Sequence, residues 1–321
     1  MLKVSTAPHI SSSTTTQSIM RDVIIALIPA IIVAVVLFGL GAVIVLLTSI
    51  AGCVLCEYLI CRYFLKIPST TNDYSAIITG ILLAFNLPSN IPVWMILTGC
   101  IFAIGISKMA FGGIGKNLFN PALAGRVFLF ISFPVQMSLW PIPNPKDFAN
   151  IDIQTSATTL GIIKNNGDIN AIPDYYTLFI GNHGGCIGEV SVLALLIGLI
   201  YLLYRRIISL RIPFYYIATV FILTSIPWLI TKNISFDPLL HLLSGGLILG
   251  AVFMATDYTT SPMSKKGQII FAIGCGALTV VIRLFGAYPE GVSFAILVMN
   301  AFTPLIDKLS APRVFGKGKI K

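Results

Sequence analysis

The chain has 321 residues, of which 56% are hydrophobic and 10% are charged, and its mean hydropathy is +0.91. Soluble domains carry roughly 25% charged residues, so these values exclude an ordinary soluble fold. The net charge of +9 does not indicate nucleic acid as a partner, because the basic residues are concentrated beside the ends of apolar segments. The composition predicts a polytopic membrane protein surrounded by membrane lipids.

Apolar runs long enough to cross a bilayer recur along the whole chain. By the criterion of roughly twenty residues, about ten transmembrane helices are predicted. Their centres lie near Ala34, Val54, Leu82, Cys100, Leu129, Leu196, Phe221, Leu247, Ala277 and Ile296. The predicted fold class is an all-α polytopic membrane protein with both termini on the same side.

The order of these spans defines four predicted regions. Residues 1–137 hold five spans, residues 138–186 form a long hydrophilic loop, residues 187–308 hold five more spans, and residues 309–321 form a basic tail. Nearly all lysines and arginines then fall on the side of the termini. Because positively charged loops stay in the cytoplasm, both termini are predicted to be cytoplasmic and the long loop extracytoplasmic.

Similar residues occur in the same order in the two halves. Thr79-Gly80 in the first half corresponds to Gly245-Gly246 in the second, and Lys108 corresponds to Arg283. With five spans per half, the second copy enters the membrane upside down, so we expect two inverted five-helix repeats with a site at their interface. Inverted repeats are also common in channels and transporters, and a cofactor-free protein of that class is one alternative.

Residues that bind metals or nucleotides do not occur in the required spacing. The three histidines are far apart, and no HExxH motif is present. The glycine-rich run 112–117 lacks the Walker spacing and does not follow a strand of a βαβ unit. Cys53 and Cys56 form a CxxC pair, which packing in an apolar helix explains better than an iron-sulfur cluster. We expect no metal site and no NAD or ATP site in this chain.

The run 112–126, with the sequence GGIGKNLFNPALAGR, resembles the signature of a known family. This family contains the D protein of the Rnf complex and the B protein of the sodium-pumping NADH:quinone reductase. The similarity continues through Ala255-Thr256-Asp257, Tyr288-Pro289-Glu290-Gly291 and Pro304-Leu305-Ile306-Asp307. Several separated motifs in the right order make this resemblance specific over almost the whole chain.

The resemblance implies a subunit of an ion-translocating ferredoxin:NAD oxidoreductase in the bacterial inner membrane. Such a subunit relays electrons, with coupling to Na⁺ or H⁺ transport, and its partners are the A, B, C, E and G proteins of the Rnf complex. The corresponding membrane protein of the quinone reductase is the nearest alternative. That protein usually has a longer N-terminal extension, whereas about eighteen residues precede the first apolar span here, which favours the Rnf type.

The resemblance also implies a covalent flavin on the long loop. In the family, a threonine in a motif similar to DxxSGAT carries FMN through a phosphoester, attached by an exported flavin transferase. The matching run is Asp152-Ile153-Gln154-Thr155-Ser156-Ala157-Thr158, so Thr158 is the expected acceptor. Ala157 is expected to leave the hydroxyl accessible, and Asp152 to orient the loop. Ser156 replaces a frequent glycine and Thr159 a frequent proline, so Thr159 is a rival acceptor.

A second, non-covalent flavin, riboflavin, is implied within the helical bundle. Asn117 and Asn120 lie three residues apart at a helix start, where their amides can hold the edge of a flavin ring or simply cap the helix. Arg126 lies inside the fifth span, where a charge is costly unless it faces the bundle interior. Its expected partner is a flavin phosphate or a carboxylate such as Asp73, and the alternative is snorkelling to the surface.

Overall fold

A computed structural model describes residues 15–143, 155–164, 172–188 and 191–311. The described part is helical apart from one two-stranded antiparallel sheet, in which Trp140 pairs with Ser156 and Pro141 with Thr155. Asp152 and the tail from residue 312 lie outside the described residues.

The elements follow each other in chain order as follows. They are α1 (Thr16–Leu59), α2 (Ser75–Phe85), α3 (Val93–Ile101), α4 (Pro121–Ser132), α5 (Pro134–Met137), β1 (Trp140–Pro141), β2 (Thr155–Ser156), α6 (Thr159–Lys164), α7 (Tyr175–Ile180), α8 (Val192–Tyr204), α9 (Arg211–Thr231), α10 (Pro238–Leu243), α11 (Leu247–Leu249), α12 (Lys265–Phe285) and α13 (Val292–Ser310). Wider π-helical turns extend α1 over Ile60–Leu65, α3 over Phe102–Met109 and α11 over Gly250–Met254.

The long helix α1 is two helices joined at Gly39, whose backbone is not helical (φ 59°, ψ −140°). Gln17 donates to the backbone of Asn72, and Thr70 donates to the side chain of Glu57. A straight helix would separate Gln17 from Glu57 by about 60 Å, whereas Thr70 and Asn72 are at most about 7 Å apart. The chain therefore reverses at Gly39, and the two halves of α1 are separate segments of the bundle.

Close backbone contacts fix the neighbours of these two segments. A Cβ atom on Gly198 of α8 would lie 2.4 Å from the carbonyl oxygen of Ala26, in the first half of α1. A Cβ atom on Gly80 of α2 would lie 2.7 Å from the Cα atom of Ile50, in the second half. Glycine is required at both places because helices can approach this closely only without a side chain.

Several helices have the length and composition of membrane spans. Among the described residues, four helices are long and apolar enough to cross a bilayer: Thr16–Leu65, Arg211–Thr231, Lys265–Phe285 and Val292–Ser310. Four shorter apolar helices lie between them: Ser75–Phe85, Val93–Met109, Pro121–Ser132 and Val192–Tyr204. Large apolar side chains such as Leu47 and Ile200 point away from the bundle and are exposed. The architecture is that of a helical membrane protein.

A residue with left-handed backbone lies just before each of two helices. Tyr74 (φ 64°) precedes α2, and Gly245 (φ 68°) interrupts the chain between α10 and α11. A basic side chain from a neighbouring helix reaches each break. Lys108 donates to the hydroxyl of Ser75 at 2.6 Å, and Arg283 donates to the carbonyl oxygen of Ser244 at 3.2 Å. At Gly245 the cation satisfies a backbone carbonyl group left by the break, whereas at Tyr74 it contacts a side-chain hydroxyl.

The described parts of the loop 138–186 pack on one end of the bundle. Lys164 of α6 donates to the carbonyl oxygens of Arg283 and Tyr288 at 3.3 and 2.8 Å. Tyr175 of α7 donates to the carboxylate of Asp237, just before α10. The Asp237 carboxylate and burial raise the pKa of Tyr175 to about 12. These contacts hold the loop against the helix ends.

Candidate functional site

Thr158 lies directly before α6 and caps this helix. Its hydroxyl oxygen accepts a hydrogen bond from the backbone N–H of Gly161 at 3.1 Å, which is the usual role of a threonine at this position. Ala157 is exposed, but Thr158 is only 8% exposed and Thr159 only 3%. The expectation of an accessible Thr158 hydroxyl is therefore wrong for this conformation, because capping turns the side chain toward the helix.

A cavity with basic residues lies beside α6. Leu160, Lys164, His241 and Arg283 line it. Burial lowers the pKa of Lys164. Arg283, which the sequence indicated only as the counterpart of Lys108, is buried and donates to the carbonyl oxygen of His241 at 2.6 Å. The region next to Thr158 therefore carries positive charge on the bundle side, which suits an anionic group.

A second cleft opens between segments of the two halves, with about 800 Å³ of empty space when its open mouth is included. Most of its walls are apolar, with contributions from α1, α2, α8 and the turn after α11. The polar lining residues are Ser75, Thr79, Lys108, Asn117, Asn120, Thr256, Asp257, Tyr258 and Thr259. An apolar slot with a few amides and charged groups is typical of a site for a planar organic cofactor.

The two predicted asparagines line this cleft in different ways. The Asn120 amide oxygen accepts from the backbone N–H groups of Ala122 and Leu123, and its amide nitrogen donates to the carbonyl oxygen of Met254 at 3.2 Å. Asn120 is thus the N-cap of α4. Asn117 donates to the carbonyl oxygen of Phe119 at 3.3 Å, and its amide oxygen accepts no hydrogen bond from the described residues. Asn117 is the better placed of the two to bind a ligand.

Arg126 faces the interior of the bundle, as the sequence predicts. It forms an ion pair with Glu290 and donates to the amide oxygen of Asn86 at 2.7 Å and to the sulfur of Cys186 at 3.5 Å. The alternative of snorkelling is wrong, since the side chain is 7% exposed. Asp73 is not its partner, because that carboxylate instead accepts from Ser75.

Arg126 lies between the two candidate sites. Its partner Asn86 also donates toward the sulfur of Met254, whose carbonyl oxygen accepts from Asn120 at the cleft. On the other side of Arg126, Glu290 lies two residues after Tyr288, whose carbonyl oxygen accepts from Lys164 of α6. Polar contacts thus link the cleft to Arg126 and Glu290, and the backbone from Glu290 to Tyr288 continues to α6.

Sequence reasoning missed a buried ion pair beside the cleft. The Lys108 ammonium nitrogen lies 2.5 Å from a carboxylate oxygen of Glu57, and the two side chains are 4% and 0% exposed. The signal was present, because Glu57 is a carboxylate within an apolar helical run. Lys108 resembled an ordinary positive charge at a helix end. Asp257 also had no role predicted from the sequence, although it lines the cleft and burial raises its pKa.

Comparisons with known proteins show the family of this chain. A model of the NQR2, RnfD, RnfE family matches residues 3–316. The D protein of the Na⁺-translocating ferredoxin:NAD⁺ oxidoreductase complex of Acetobacterium woodii is 48% identical over 322 residues, which cover 100% of this chain and 97% of the relative. The D protein of the proton-translocating complex of Clostridium ljungdahlii is 43% identical over 320 residues, with 98% and 96% covered.

A more distant relative has the same extent. The D protein of the ion-translocating oxidoreductase complex of Escherichia coli is 33% identical over 351 residues, which cover 99% of each chain. The similarity thus includes both helical halves, the loop and the cleft. The chain belongs to the NQR2, RnfD, RnfE family.

Proposed function

We propose that this chain is the electron-relay membrane subunit of an ion-translocating ferredoxin:NAD oxidoreductase complex. The observation that carries the proposal is the full-length identity of 48% and 43% to proteins named as the D component of such complexes. Its partners are then the A, B, C, E and G proteins of the Rnf complex. One of these two relatives is named as sodium-translocating and the other as proton-translocating, so the coupling ion is Na⁺ or H⁺.

The proposed topology has ten spans in two inverted five-helix repeats. The reversal at Gly39 divides α1 into two spans. The break at Tyr74 lies directly before the third span of the first half, and the break at Gly245 lies within the third span of the second half. Each break is contacted by a basic residue, Lys108 or Arg283, from the segment that follows it. This correspondence supports the repeat. The distribution of positive charge supports cytoplasmic termini and an extracytoplasmic loop 138–186.

Thr158 is the proposed attachment point of a covalent FMN, placed by an exported flavin transferase. The Thr158 oxygen acts as a hydrogen-bond acceptor for Gly161, and its hydroxyl proton makes no hydrogen bond to the described residues. Replacement of that proton by a phosphoryl group therefore costs no donor contact. Because Thr158 is buried, we infer that the first turn of α6 opens while the transferase acts. Lys164 and Arg283 provide positive charge nearby.

The cleft is the proposed site of a second, non-covalent flavin such as riboflavin. Its residues fit this group, since apolar walls can enclose the ring system and Asn117 retains a free amide oxygen for a ring N–H among the described contacts. A bound flavin supplies reversible electron transfer. The chain contributes the position of the ring, the exclusion of water by residues such as Leu82 and Phe253, and nearby charge from Lys108 and Asp257.

Flavin fluorescence of the denatured chain tests the covalent site. After co-expression with the flavin transferase, the wild-type band should fluoresce on a denaturing gel, and Thr158→Ala should abolish the signal. Thr159→Ala tests the rival acceptor, and Thr177→Ala is a control in the same loop. A dark wild-type band would contradict the redox function, whereas a fluorescent Thr158→Ala band together with a dark Thr159→Ala band would move the attachment point to Thr159.

Extraction of non-covalent flavin tests the cleft. Acid-treated native protein should release riboflavin or another flavin at one equivalent per chain. Asn117→Leu should reduce this amount, because leucine has a similar volume but no amide. A full equivalent in Asn117→Leu would place the second flavin elsewhere. Reporter fusions after residue 138 and at the C-terminus test the proposed sides of the membrane.

A further inference from the structure

We propose that Lys108, Ser75 and Asp73 form a proton path between the cleft and the aqueous surface, with Glu57 as the fixed partner of Lys108. This proposal rests on the proposed flavin in the cleft. It adds a function to the site, the supply of protons to the group that is reduced there. Five hydrogen bonds around Lys108 and Ser75 carry it.

The ion pair is the first part of the argument. The amino group of Lys108 lies 2.5 Å from the Glu57 carboxylate, and both side chains are almost completely buried. The second carboxylate oxygen of Glu57 accepts from the hydroxyl of Thr70 at 2.5 Å. Apolar residues of similar volume often stabilise a protein as well as a buried ion pair does, so such a pair is weak support for a purely structural role. Ionisable groups inside membrane bundles usually mark ion or proton pathways.

The position of Lys108 is the second part. Lys108 lines the cleft, whereas Glu57 is not among the lining residues. Two of the three N–H bonds of the ammonium group are directed to Glu57 and Ser75, at 2.5 and 2.6 Å. One N–H remains for a group in the cleft. Glu57 thus holds the ammonium group in place without lining the cleft itself.

The connection to the surface is the third part. The Ser75 hydroxyl accepts from Lys108 and donates to the Asp73 carboxylate at 2.5 Å, and the backbone N–H of Ser75 donates to the same oxygen at 3.0 Å. Ser75 is buried, but Asp73 is half-exposed. A hydroxyl can accept one hydrogen bond while it donates another, so it can pass a proton along the chain. Only one side chain separates Lys108 from a carboxylate in contact with water.

Several ionisable groups surround Lys108. Glu57 and the thiol of Cys53 face it from α1, Asp73 lies on the path, and Asp257 and Tyr258 line the cleft with it. If a one-electron carrier reduced a group in the cleft, an N–H bond of Lys108 would break and its proton would bind that group. The Asp73 carboxylate would take a proton from a hydronium ion at the surface and pass it to the Ser75 oxygen, while the Ser75 hydroxyl proton passes to the Lys108 amine. Lys108, Ser75 and Asp73 would then be as before, and the cleft would have gained one electron and one proton.

Proton uptake during reduction tests this path. The purified complex is reduced in a stopped-flow instrument with a pH indicator, and flavin absorbance is followed in parallel. Ser75→Ala and Asp73→Asn should slow the proton-coupled phase by about 100-fold, the usual range for loss of a positioned acid or base. Ser69→Ala, a nearby exposed hydroxyl outside the network, should keep the wild-type rate. Added formate, a small diffusible acid, should restore part of the rate in Asp73→Asn.

The outcomes separate this path from the cofactor site. Wild-type rates in both Ser75→Ala and Asp73→Asn, with flavin content unchanged, would overturn the path and leave the proposed function intact. Absence of non-covalent flavin from the wild-type complex would overturn the cleft site and the path together. If Ser75→Ala does not fold, Asp73→Asn alone decides, since a slow phase that formate accelerates supports the path and a wild-type rate refutes it.

Discussion

Replacement of Arg126 by methionine tests whether the central ion pair organises the bundle. The change removes the partner of Glu290 and the donor to Asn86, and the two charged side chains are only 7% and 14% exposed. Loss of one partner from a buried pair costs about 3–5 kcal/mol, and little of this is screened at such burial. A protein of ordinary stability would lose roughly a third of its free energy of unfolding.

The assay is unfolding in mixed micelles with increasing dodecyl sulfate, followed by tryptophan fluorescence. The matched control is Arg205→Met, because Arg205 pairs with Asp22 but is 46% exposed, and its loss should shift the midpoint much less. The double variant Arg126→Met/Glu290→Met should be more stable than the sum of the single effects, by about 1–3 kcal/mol. Strict additivity, or a cost for Arg126→Met no greater than that of Arg205→Met, would refute a buried, coupled pair.

Three further changes have defined outcomes. Gly198→Ala should destabilise the chain by about 1–3 kcal/mol in the same assay, because its Cβ would lie 2.4 Å from a carbonyl oxygen, while Gly105→Ala, with its nearest atom at 3.6 Å, should be neutral. Tyr175→Phe removes the hydrogen bond to Asp237 and should increase proteolysis of the loop. Burial raises the pKa of Asp257 from 3.8, so the folded state binds the carboxyl proton more tightly than the unfolded state does. The free energy of unfolding should therefore fall as the pH rises above 3.8. Asp257→Asn should flatten this pH dependence, as measured by thermal unfolding at several pH values.

Hydropathy predicted the helices better than their contacts. All the predicted span centres, such as Ala34 and Leu247, fall in helices. The two span centres at Ala34 and Val54 implied a reversal between them, but hydropathy could not locate it at Gly39, since an apolar run reads the same through a tight turn.

The position of a site residue was predictable where the free-energy cost of a charge in lipid alone decides it. Arg126 is inside an apolar run, so its interior position followed from the high free energy of an exposed charge in lipid. Its partner Glu290 lies 164 positions away in sequence and is brought close only by the packing of the two halves. The role of Asn120 was not predictable, because capping and ligand binding require the same amide group. The structure shows that the amide oxygen of Asn120 caps the helix.

The two helix breaks suggest different chemical roles for their basic residues. Arg283 donates to the carbonyl oxygens of His241 and Ser244, and an arginine does not release its proton in proteins. Lys108 is paired with a carboxylate and a hydroxyl, and a lysine amine can lose and regain a proton. The half of the bundle that holds Lys108 is therefore the one suited to proton exchange.

Lys108→Arg separates charge from proton exchange. Arginine retains the positive charge and can still pair with Glu57, so flavin content should stay near that of the wild type. Proton uptake in the stopped-flow assay should nevertheless slow by about 100-fold, because the guanidinium group cannot donate a proton. Lys108→Met, which removes both charge and proton, should also destabilise the chain by leaving Glu57 buried and unpaired. Wild-type uptake in Lys108→Arg would show that Lys108 acts only through its charge.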